Sequence, residues 1–335
     1  MREHWRELTE IVGRFGGARV VVAGDLVLDR FWYGATQRMS REAPVHIVRV
    51  TKTRSLPGCA ANTIWNLSAL GSIALPVGVV GRDREGDQIL ELFRERGVDC
   101  GGVVRWPSWE TPTKTRILAG TLHGPRQQVA RVDSGEDNAF TPELASALRQ
   151  ALEGALKGAG ALILSDYGYG LADSLYEPAL PARVPVSALD SRFGMERFAG
   201  FSTATPNEEE FESACHVRLS EEEGQLEREG EALRRRLAME ALLVTRGGRG
   251  MSLFEEGRRP VHLPVVGADQ VVDVTGAGDT VIATYVTALC AGAPFLHAAA
   301  IANTAGGIVV QRHGPATASP AEIAETLEAW GTGKL

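Results

Sequence analysis

Glycines and carboxylates stand together in the stretch VVDVTGAGDTVIATYV, residues 271–286. From Thr280 onward the apolar residues recur with a helical period, so residues 275–279 are predicted to form a strand-to-helix turn. The unpaired amides of such a turn and the positive end of the helix dipole attract an anion such as phosphate. Asp279 would repel that anion unless it performs chemistry nearby. It could accept the proton of a hydroxyl that attacks a bound phosphoryl group, while the amides stabilise charge in the transition state.

Other phosphate-binding motifs are absent from the sequence. The chain holds no GxxxxGK[ST] sequence, and its first predicted strand ends in GDLVLD rather than GxGxxG. The first observation argues against a P-loop NTPase, and the second argues against a dinucleotide-binding Rossmann unit. The run 247–250, GGRG, follows a predicted strand without a clear following helix, so it is either a turn or a nucleotide contact. The glycines at 276 and 278 could likewise serve only a tight turn.

Short apolar runs alternate with helix-like segments along most of the chain, and most of the runs end abruptly in a polar residue. This alternation is typical of a largely parallel sheet with helices on its faces. In such sheets, ligands bind beyond the carboxyl ends of the strands. The residues expected to converge on that rim are Asp25, Asp166, Asp190, Asn207, Thr245 and Asp279.

Three predicted helix starts carry a hydroxyl cap before a proline, at Thr141, Thr205 and Ser319. The latter two also have a glutamate three residues later, which completes a capping box. Acidic residues in a first helical turn are favoured by the helix dipole alone. Local structure could therefore explain Asn207 and Glu210 without a role in binding.

Residues 43–56 and 111–133 do not fit the alternation of strands and helices. Each alternates apolar with polar side chains, which is typical of half-exposed antiparallel strands. The two stretches could form a small separate sheet that acts as a lid over the rim or as an oligomer contact, or they could form an ordinary edge hairpin. Periodicity alone favours none of these.

The bulk composition limits the classes of protein. The chain has 335 residues, of which 44% are hydrophobic and 23% charged, so it can bury a large globular core. Its net charge of −7 and the lack of a long basic run argue against nucleic-acid and anionic-membrane partners. The four cysteines are scattered without metal-ligand spacing, and the charged N-terminus does not resemble a secretory signal. We therefore expect a cytoplasmic protein with reduced thiols.

Two longer motifs resemble those of the ribokinase, or PfkB, family of sugar kinases. DVTGAGDTVIA (273–283) is similar to the C-terminal motif of the family, and PGCAANTIWNLSALG (57–71) is similar to its N-terminal motif. TPNEEEFE (205–212) matches the NxxE element, and VTRGGRGMSL (244–253) matches the glycine turn on the nucleotide side. The resemblance covers about residues 18–320.

The resemblance implies an α/β, ribokinase-like three-layer αβα fold with a mostly parallel central sheet and a small β-sheet lid. We expect one kinase domain over residues 1–335, with lid segments at about 31–57 and 105–133. The implied activity is ATP-dependent phosphorylation of a sugar or sugar-like alcohol. The implied cofactors are ATP and Mg²⁺, with a monovalent cation left open, and the lid is implied to make a homodimer.

The resemblance, to the family or to the narrower subgroup described below, implies a role for each candidate residue. The catalytic set is Asp279 as base, with Gly276, Ala277 and Gly278 as the anion hole. The substrate set is Asp25, Asp29, Gly58, Asn62, Lys114, Arg116, Arg131 and Asp166. The nucleotide set is Asn207, Thr245, Gly247, Gly250, Asn303 and Arg192. The metal set is Asn207, Glu210 and Asp273, of which Asp273 could instead cap the turn.

A narrower resemblance points to one substrate. GDLVLDRFWYGATQRMSREAPVHIVRV (24–50) is similar to the opening of the heptose-7-phosphate kinases of lipopolysaccharide precursor synthesis, and LSDYG (164–168) also fits them. It implies conversion of D-glycero-β-D-manno-heptose 7-phosphate to the 1,7-bisphosphate, with Asp25 and Asp29 facing the sugar. Candidates for the distal phosphate are Arg38, Lys114, Arg116 and Arg131, each of which could instead be a solvated surface charge.

The sequence departs from this subgroup at three places. Tyr169 stands where a lysine is usual, Ser191-Arg192 replaces the last two residues of a DPK element, and Gly58-Cys59 replaces GG. The loss of both lysines bears on phosphate contacts, for which Arg192 could compensate with a different geometry. Because the chain ends without a nucleotidyltransferase domain, we expect a kinase alone rather than a bifunctional enzyme.

The sequence leaves two other functions open. A kinase of this family could act on another sugar or a nucleoside, for example ribose or fructose phosphate. A catalytically silent regulator that binds sugar or nucleotide could keep the fold, and the departures at Tyr169, Ser191 and Arg192 favour it. The intact Asp279 and its flanking glycines weigh against such a regulator.

Overall fold

The apolar runs form the strands of the structure, a computed structural model that describes residues 2–120, 127–219, 224–266 and 271–333. Runs rich in Val, Ile, Leu and Ala can be buried on both faces of a sheet, as central parallel strands must be. The strands in this part of the chain are β1 Arg19–Gly24, β2 Leu26–Met39, β3 His46–Cys59, β4 Ile73–Gly81, β5 Val103–Trp106, β6 Thr113–Gly120, β7 Gln127–Ser134, β8 Ala161–Asp166, β9 Val186–Ser191, β10 Thr203–Ala204, β11 Ala241–Thr245, β12 Met251–Glu255 and β13 Val261–Leu263.

Nine of these strands form the central sheet, in the order β13-β12-β11-β10-β9-β8-β1-β4-β5. Neighbouring strands from β11 to β5 pair in parallel. The pairs β11–β12 and β12–β13 at one edge are antiparallel. The carboxyl ends of the parallel strands therefore share one rim, as predicted.

Helices cover both faces of this sheet. Alternate residues of β1 enter different cores: Val20 and Val22 join the core that includes α8 and α9, whereas Val21 and Ala23 join the core that includes α4 and α7. The result is a three-layer αβα arrangement, which confirms the predicted fold class. The helices are α1 Trp5–Val12, α2 Ala60–Ala69, α3 Arg84–Glu95, α4 Pro142–Leu156, α5 Leu171–Leu175, α6 Glu208–Cys215, α7 Gln225–Arg236, α8 Ala277–Cys290, α9 Phe295–Val309 and α10 Pro320–Gly331.

The remaining four strands form a second sheet, the lid, in the order β3-β2-β6-β7. The pairs β2–β3 and β6–β7 are antiparallel, as the alternation predicts, but β2 and β6 are parallel. Both of these strands leave the same rim, so they run in the same direction. Strand β2 begins only two residues after β1 ends, earlier than the lid segment predicted at 31–57. Residues 121–126 of the second predicted segment lie outside the described part of the chain.

Two of the three predicted helix caps are confirmed. The side chains of Thr141 and Ser319 each accept the amide three residues later. The third prediction is wrong by two residues, because Asn207 rather than Thr205 is the N-cap of α6. Asn207 accepts the Glu210 amide and the Glu210 carboxylate accepts the Asn207 amide, each at 2.9 Å. The capping box therefore forms in this register and satisfies two amides at the start of α6.

The stretch before the glycine loop is not a strand, contrary to the prediction. Residues 271–274 are irregular. The amides of Val272 and Asp273 both donate to the carbonyl of Val310, just after α9. A helix end, rather than a neighbouring strand, satisfies this backbone, so residues 275–279 form a coil-to-helix turn.

Candidate functional site

A cavity of about 410 Å³ opens between the rim of the central sheet and the lid. Side chains from β2 and β6 of the lid line one side, and the loop that leads into α8 lines another. The structure thus brings together segments from both ends of the chain. The predicted site residues that line this cavity are Asp29, Asn62, Lys114, Arg116, Arg192, Asn207, Glu210, Thr245, Gly276, Gly278 and Asp279.

Asp279 lies in the first turn of α8 and is only 6% exposed. Its carboxylate accepts hydrogen bonds from Asn62 Nδ2 at 2.7 Å, Tyr167 Oη at 2.9 Å and Thr63 Oγ1 at 3.3 Å. Burial raises the pKa of Asp279 to about 6, and the three donors oppose that rise. At neutral pH the group is therefore mostly a carboxylate, held in a fixed orientation and able to accept a proton.

Asp29 faces the same cavity from β2. Arg116 on β6 donates to its carboxylate at 2.6 Å. Burial raises the pKa of Asp29, and the Arg116 charge opposes that rise. Gly58 leaves the space that the carboxylate fills, since a Cβ there would lie 2.8 Å from it. Asp29 and Asn62 therefore share a cavity with Asp279, whereas Arg116 is already committed to an ion pair.

The glycine loop begins α8. Gly276 is the N-cap with a φ of 78°, which favours glycine, and a Cβ there would lie 2.6 Å from Asn62 Nδ2. The Ala277 amide donates to the Val274 carbonyl at 3.2 Å. Of the three amides predicted for the anion hole, one is thus used within the turn, and Gly276 and Gly278 line the cavity.

Asp273 ties this loop to the chain after α9. Its two carboxylate oxygens accept the amides of Thr275 and Gly314, each at 2.9 Å. Burial opposes ionisation, but these amides hold the pKa of Asp273 below its usual value. Because both oxygens are occupied, the geometry matches the turn-capping interpretation of Asp273 rather than the metal one.

Carboxylates gather on the side of the cavity formed by β9 and α6. Burial raises the pKa of Asp190 well above its usual value, and the charges of Asp279 and Glu210 raise it further. Burial also raises the pKa of Glu210. Asn207 and Thr245 line the same cavity and pair as a single β-bridge. Carboxylate and amide oxygens are the hard ligands that Mg²⁺ prefers, so Asp190, Glu210 and Asn207 fit a magnesium ion.

A second cavity, of about 380 Å³, adjoins the first. Lys114 lines both, with its Nζ 5.8 Å from the ring centroid of Tyr167 and 5.6 Å from that of Tyr169. Cys59 Sγ lies 3.5 Å from the same Nζ. Aromatic ring faces attract a cation without neutralising it. The side chains that line both cavities are Lys114, Tyr167, Arg192 and Phe193.

The other basic lid residues are placed differently. Arg131 lines the second cavity, but its guanidinium donates two hydrogen bonds to Asp133, at 3.0 and 2.7 Å. The side chain of Arg38 lies outside the described part of the structure. Lys114 and Arg192 are therefore the predicted cations best placed at the junction of the cavities.

Besides Gly58, two predicted substrate residues, Asp25 and Asp166, line neither cavity. Asp25 accepts the amides of Tyr167 at 2.8 Å and Tyr169 at 3.3 Å, and burial raises its pKa to about 7. Asp166 is fully buried and accepts the Ser191 hydroxyl at 2.8 Å. Both carboxylates therefore order the loop that carries Tyr167 instead of contacting the cavity space.

Three predicted nucleotide residues also lie outside both cavities: Gly247, Gly250 and Asn303. Gly250 has a φ of 77°, and a Cβ there would lie 1.9 Å from the Leu263 carbonyl oxygen. Asn303 Nδ2 donates to the Pro264 carbonyl at 2.6 Å, which fixes α9 to the chain after β13. Local structure accounts for Gly250 and Asn303 in this conformation.

Several residues of the cavity had no predicted role, and three of them contribute to the site described above. Asp190 ends the run VPVSALD and was expected at the rim, so the run-end pattern carried a signal for it. Tyr167 donates to Asp279 from a loop whose path the sequence does not reveal. Cys59 departs from GG and is the N-cap of α2 with a φ of 55°, a conformation that favours glycine.

Comparison of the chain with known protein families finds a match. Residues 18–322 match the family described as pfkB family carbohydrate kinase, and the match includes both glycine-containing motifs. The chain belongs to the pfkB family of carbohydrate kinases. Its membership confirms the predicted family and the predicted enzyme class.

Relatives within the family extend over nearly the whole chain. The bifunctional protein HldE of Aeromonas salmonicida is 42% identical over 316 residues, which cover 93% of this chain and 64% of that protein. The bifunctional protein HldE of Nitrosococcus oceani is 41% identical over 326 residues, which cover 96% of this chain and 66% of that protein. The chain therefore spans slightly less than two thirds of the length of these relatives.

Solved structures share the fold at low identity. Arabidopsis thaliana ribokinase complexed with ribose and ATP is 19% identical with a TM-score of 0.71, covering 93% of this chain and 99% of that chain. Phosphofructokinase-2 from Escherichia coli in complex with substrates and products is 15% identical with a TM-score of 0.75, with the same coverage of 93% and 99%. Within the residues described here, no helix is both long enough and apolar enough to span a membrane.

Proposed function

We propose that this kinase uses ATP to convert D-glycero-β-D-manno-heptose 7-phosphate to the 1,7-bisphosphate. The observation that carries the reaction type is the buried Asp279 carboxylate, held by three donors beside Gly276 and Gly278. The sugar is suggested by the resemblance of residues 24–50 to the opening of heptose-7-phosphate kinases, and the relatives named bifunctional protein HldE match nearly the whole chain. The ribokinase of the same fold that binds ribose and ATP is consistent with ATP as donor.

Asp279 is the general base in this proposal. The sugar hydroxyl gives its proton to Asp279 as its oxygen bonds to the γ-phosphorus, and the bond from that phosphorus to the bridging oxygen of ADP breaks. Asn62, Thr63 and Tyr167 orient the carboxylate before the substrate arrives, so little reorganisation is needed. Asp29 and Asn62, which line the same cavity, are assigned to the sugar hydroxyls in this proposal.

The γ-phosphate is assigned to the start of α8, at Gly276 and Gly278. The helix dipole and the small residues of the loop favour a close approach by an anion there. Asp190, Glu210 and Asn207 would hold Mg²⁺, which supplies positive charge to the phosphate oxygens when bound.

The phosphate carried by the sugar is assigned to the second cavity. Lys114 stands at the junction of the two cavities, and its contacts with aromatic rings leave its charge available to an anion. Arg192 adds a second cation there. Arg116 and Arg131 contribute less because each is paired with an aspartate. In this assignment Lys114 and Arg192 replace the two lysines that the subgroup usually carries.

A panel of sugars tests the substrate assignment. ADP release is measured with heptose 7-phosphate, unphosphorylated heptose, ribose, fructose 6-phosphate and a nucleoside, and we expect the highest kcat/KM for heptose 7-phosphate. Turnover of another sugar with none of heptose 7-phosphate would reject the subgroup assignment in favour of another pfkB substrate. Ligand binding without ADP release for any sugar would support a silent regulator.

We also propose that the protein forms a homodimer through the lid. The lid carries exposed apolar side chains that a homodimer would cover, at Val45, Ile47, Val50, Val129 and Val132. We propose that one kinase domain spans the chain, that the protein is cytoplasmic, and that a monovalent cation supports activity. Replacing K⁺ by tetramethylammonium in the assay tests the last point.

A further inference from the structure

Three potential metal ligands meet outside both cavities, where the N-terminal segment contacts α9. His4 directly precedes α1, Glu7 lies in its first turn, and His297 lies in the first turn of α9. One ligand atom of each residue lies within 4.8 Å of the other two. The Glu7 carboxylate lies 3.4 Å from Nδ1 of His4 and 3.4 Å from Nδ1 of His297, through different oxygens. Two imidazole nitrogens and a carboxylate are ligands that Zn²⁺ commonly takes.

Within the described residues, the Nδ1 atom of His297 lacks a hydrogen-bond partner. Its Nδ1 is buried and makes no hydrogen bond within the described residues, because the contact with Glu7 does not have hydrogen-bond geometry. A buried polar atom without a partner is costly, and a bound metal ion would satisfy it. The rings of His4 and His297 lie 5.6 Å apart between centroids. Zinc–nitrogen bonds of about 2.0–2.1 Å put tetrahedral ligands about 3.4 Å apart. The two nitrogen–oxygen distances to Glu7 match that spacing, and all three ligand atoms lie within 4.8 Å of one another.

The segment that carries two of these ligands is well anchored. Leu8 and Ile11 of α1 are buried in the core. Trp5 packs against α10 so closely that a Cβ on Gly331 would lie 2.2 Å from its ring. The side chains of His4 and Glu7 are about half exposed, at 52% and 54%, which leaves an open side for a water ligand.

We propose that His4, Glu7 and His297 bind Zn²⁺, with water as a fourth ligand, and that the ion ties the N-terminal helix to α9. Imidazole suits zinc, whereas Mg²⁺ prefers oxygen ligands, so the site discriminates between the two ions. The simpler alternative is that the Glu7 carboxylate only bridges two histidines by charge. Metal affinity separates these explanations.

The test is a titration of the whole chain, freed of metal by a chelator, with Zn²⁺ and then with Co²⁺. We expect one tight site, visible absorption typical of four-coordinate Co²⁺, and a melting temperature that rises with Zn²⁺ concentration. His4→Ala and Glu7→Gln should each weaken binding by at least about tenfold, the loss that even an indirect partner of a metal can bring. The matched control is His262→Ala, because His262 also contacts a helical glutamate, Glu227, at 2.9 Å but lies outside the cluster.

The outcomes are distinct. Absence of tight binding, or affinity unchanged by His4→Ala, would overturn the proposal, as would an equal loss in His262→Ala. His297→Ala removes a largely buried side chain, so the half-exposed His4 carries the test if that variant unfolds. Zinc held instead at the cavity carboxylates would survive His4→Ala and be lost in Glu210→Gln, which would also contradict the site.

Discussion

At the scale of single residues, Asp279 balances two opposing effects. Burial favours its neutral form, whereas hydrogen bonds from Asn62, Tyr167 and Thr63 favour the carboxylate. The resulting pKa of about 6 keeps the group ionised at neutral pH while leaving it basic enough to accept a proton during reaction. This balance leads to two predictions for catalysis.

Replacing the base should abolish most turnover without unfolding the protein. We expect Asp279→Asn to lower kcat by about 10²- to 10⁴-fold, because an amide cannot accept the hydroxyl proton. ATP affinity measured by calorimetry should change little, since the loop backbone is kept. Turnover close to that of the unmodified enzyme would falsify the assignment of the base.

The pH dependence of kcat/KM should report the same group. Only the carboxylate accepts a proton, so activity should fall as the pH drops through about 6, the pKa of Asp279. Tyr167→Phe removes a donor to the charged form, which raises the pKa and should move the acid limb to higher pH. Tyr169→Phe is the control, because the Tyr169 ring contacts Lys114 and keeps that contact as Phe. The acid limb of this variant should stay in place. A limb that stays in place in Tyr167→Phe would contradict this role.

Cys59 should carry backbone strain. Its φ of 55° is unfavourable for a side chain with a Cβ, and glycine adopts it freely. We expect Cys59→Gly to be more stable than Cys59→Ala by about 1 kcal/mol, within the range of such strain. Denaturant unfolding of the two variants measures the difference. Equal stability, or a more stable alanine variant, would show that the strain is absent.

At the scale of elements, two helices begin with the same device. α6 starts with the capping box of Asn207 and Glu210, and α10 starts with that of Ser319 and Glu322. Only the first box lines the cavity. The second is therefore a natural control for separating a capping role from a functional one.

Loss of either cap should destabilise the protein, but only one should affect catalysis. We expect Asn207→Ala and Ser319→Ala each to lower the free energy of unfolding by about 1 kcal/mol. Asn207→Ala should also lower kcat/KM and raise the Mg²⁺ concentration needed for half activity. Unimpaired kinetics in Asn207→Ala would reduce this element to a helix cap.

At the scale of the whole molecule, the lid presents open strand edges. β3 and β7 are its two edge strands, and seven of the eight residues of β7 are exposed. Exposed apolar side chains on edge strands favour association with another chain. The homodimer proposed through the lid would cover them.

Charges placed on the lid should break such a dimer. We expect the double variant Val129→Glu with Val132→Glu to have half the mass of the unmodified protein in light scattering, because two buried carboxylates would repel across the interface. Ile73→Glu is the control, since Ile73 is 45% exposed but belongs to the central sheet. An unmodified protein that is already monomeric would refute the lid dimer.

Local patterns account for what could be predicted. Three features depend only on neighbours in sequence: the carboxylates at the ends of apolar runs, the helical period of apolar residues in α8, and the caps at Thr141 and Ser319. The parallel sheet, its rim and the glycine turn were therefore predictable. The cap of α6 was misplaced because Thr205 and Asn207 offer nearly equivalent capping side chains. The coil before α8 was predicted to be a strand because its residues are largely apolar. Its backbone amides instead donate to a carbonyl just after the end of α9.

By itself, the sequence determined the fold class and the family, and it singled out the residue proposed as base, since these follow from periodicity and contiguous motifs. Only the tertiary structure decided what surrounds that base. Asn62 and Tyr167, which donate to Asp279, lie 217 and 112 residues from it in the chain. The tertiary structure also shows that Asp25 and Asp166 do not line the cavity, because their carboxylates accept hydrogen bonds from other parts of the chain. Such contacts depend on how distant elements pack, and no local pattern encodes that packing.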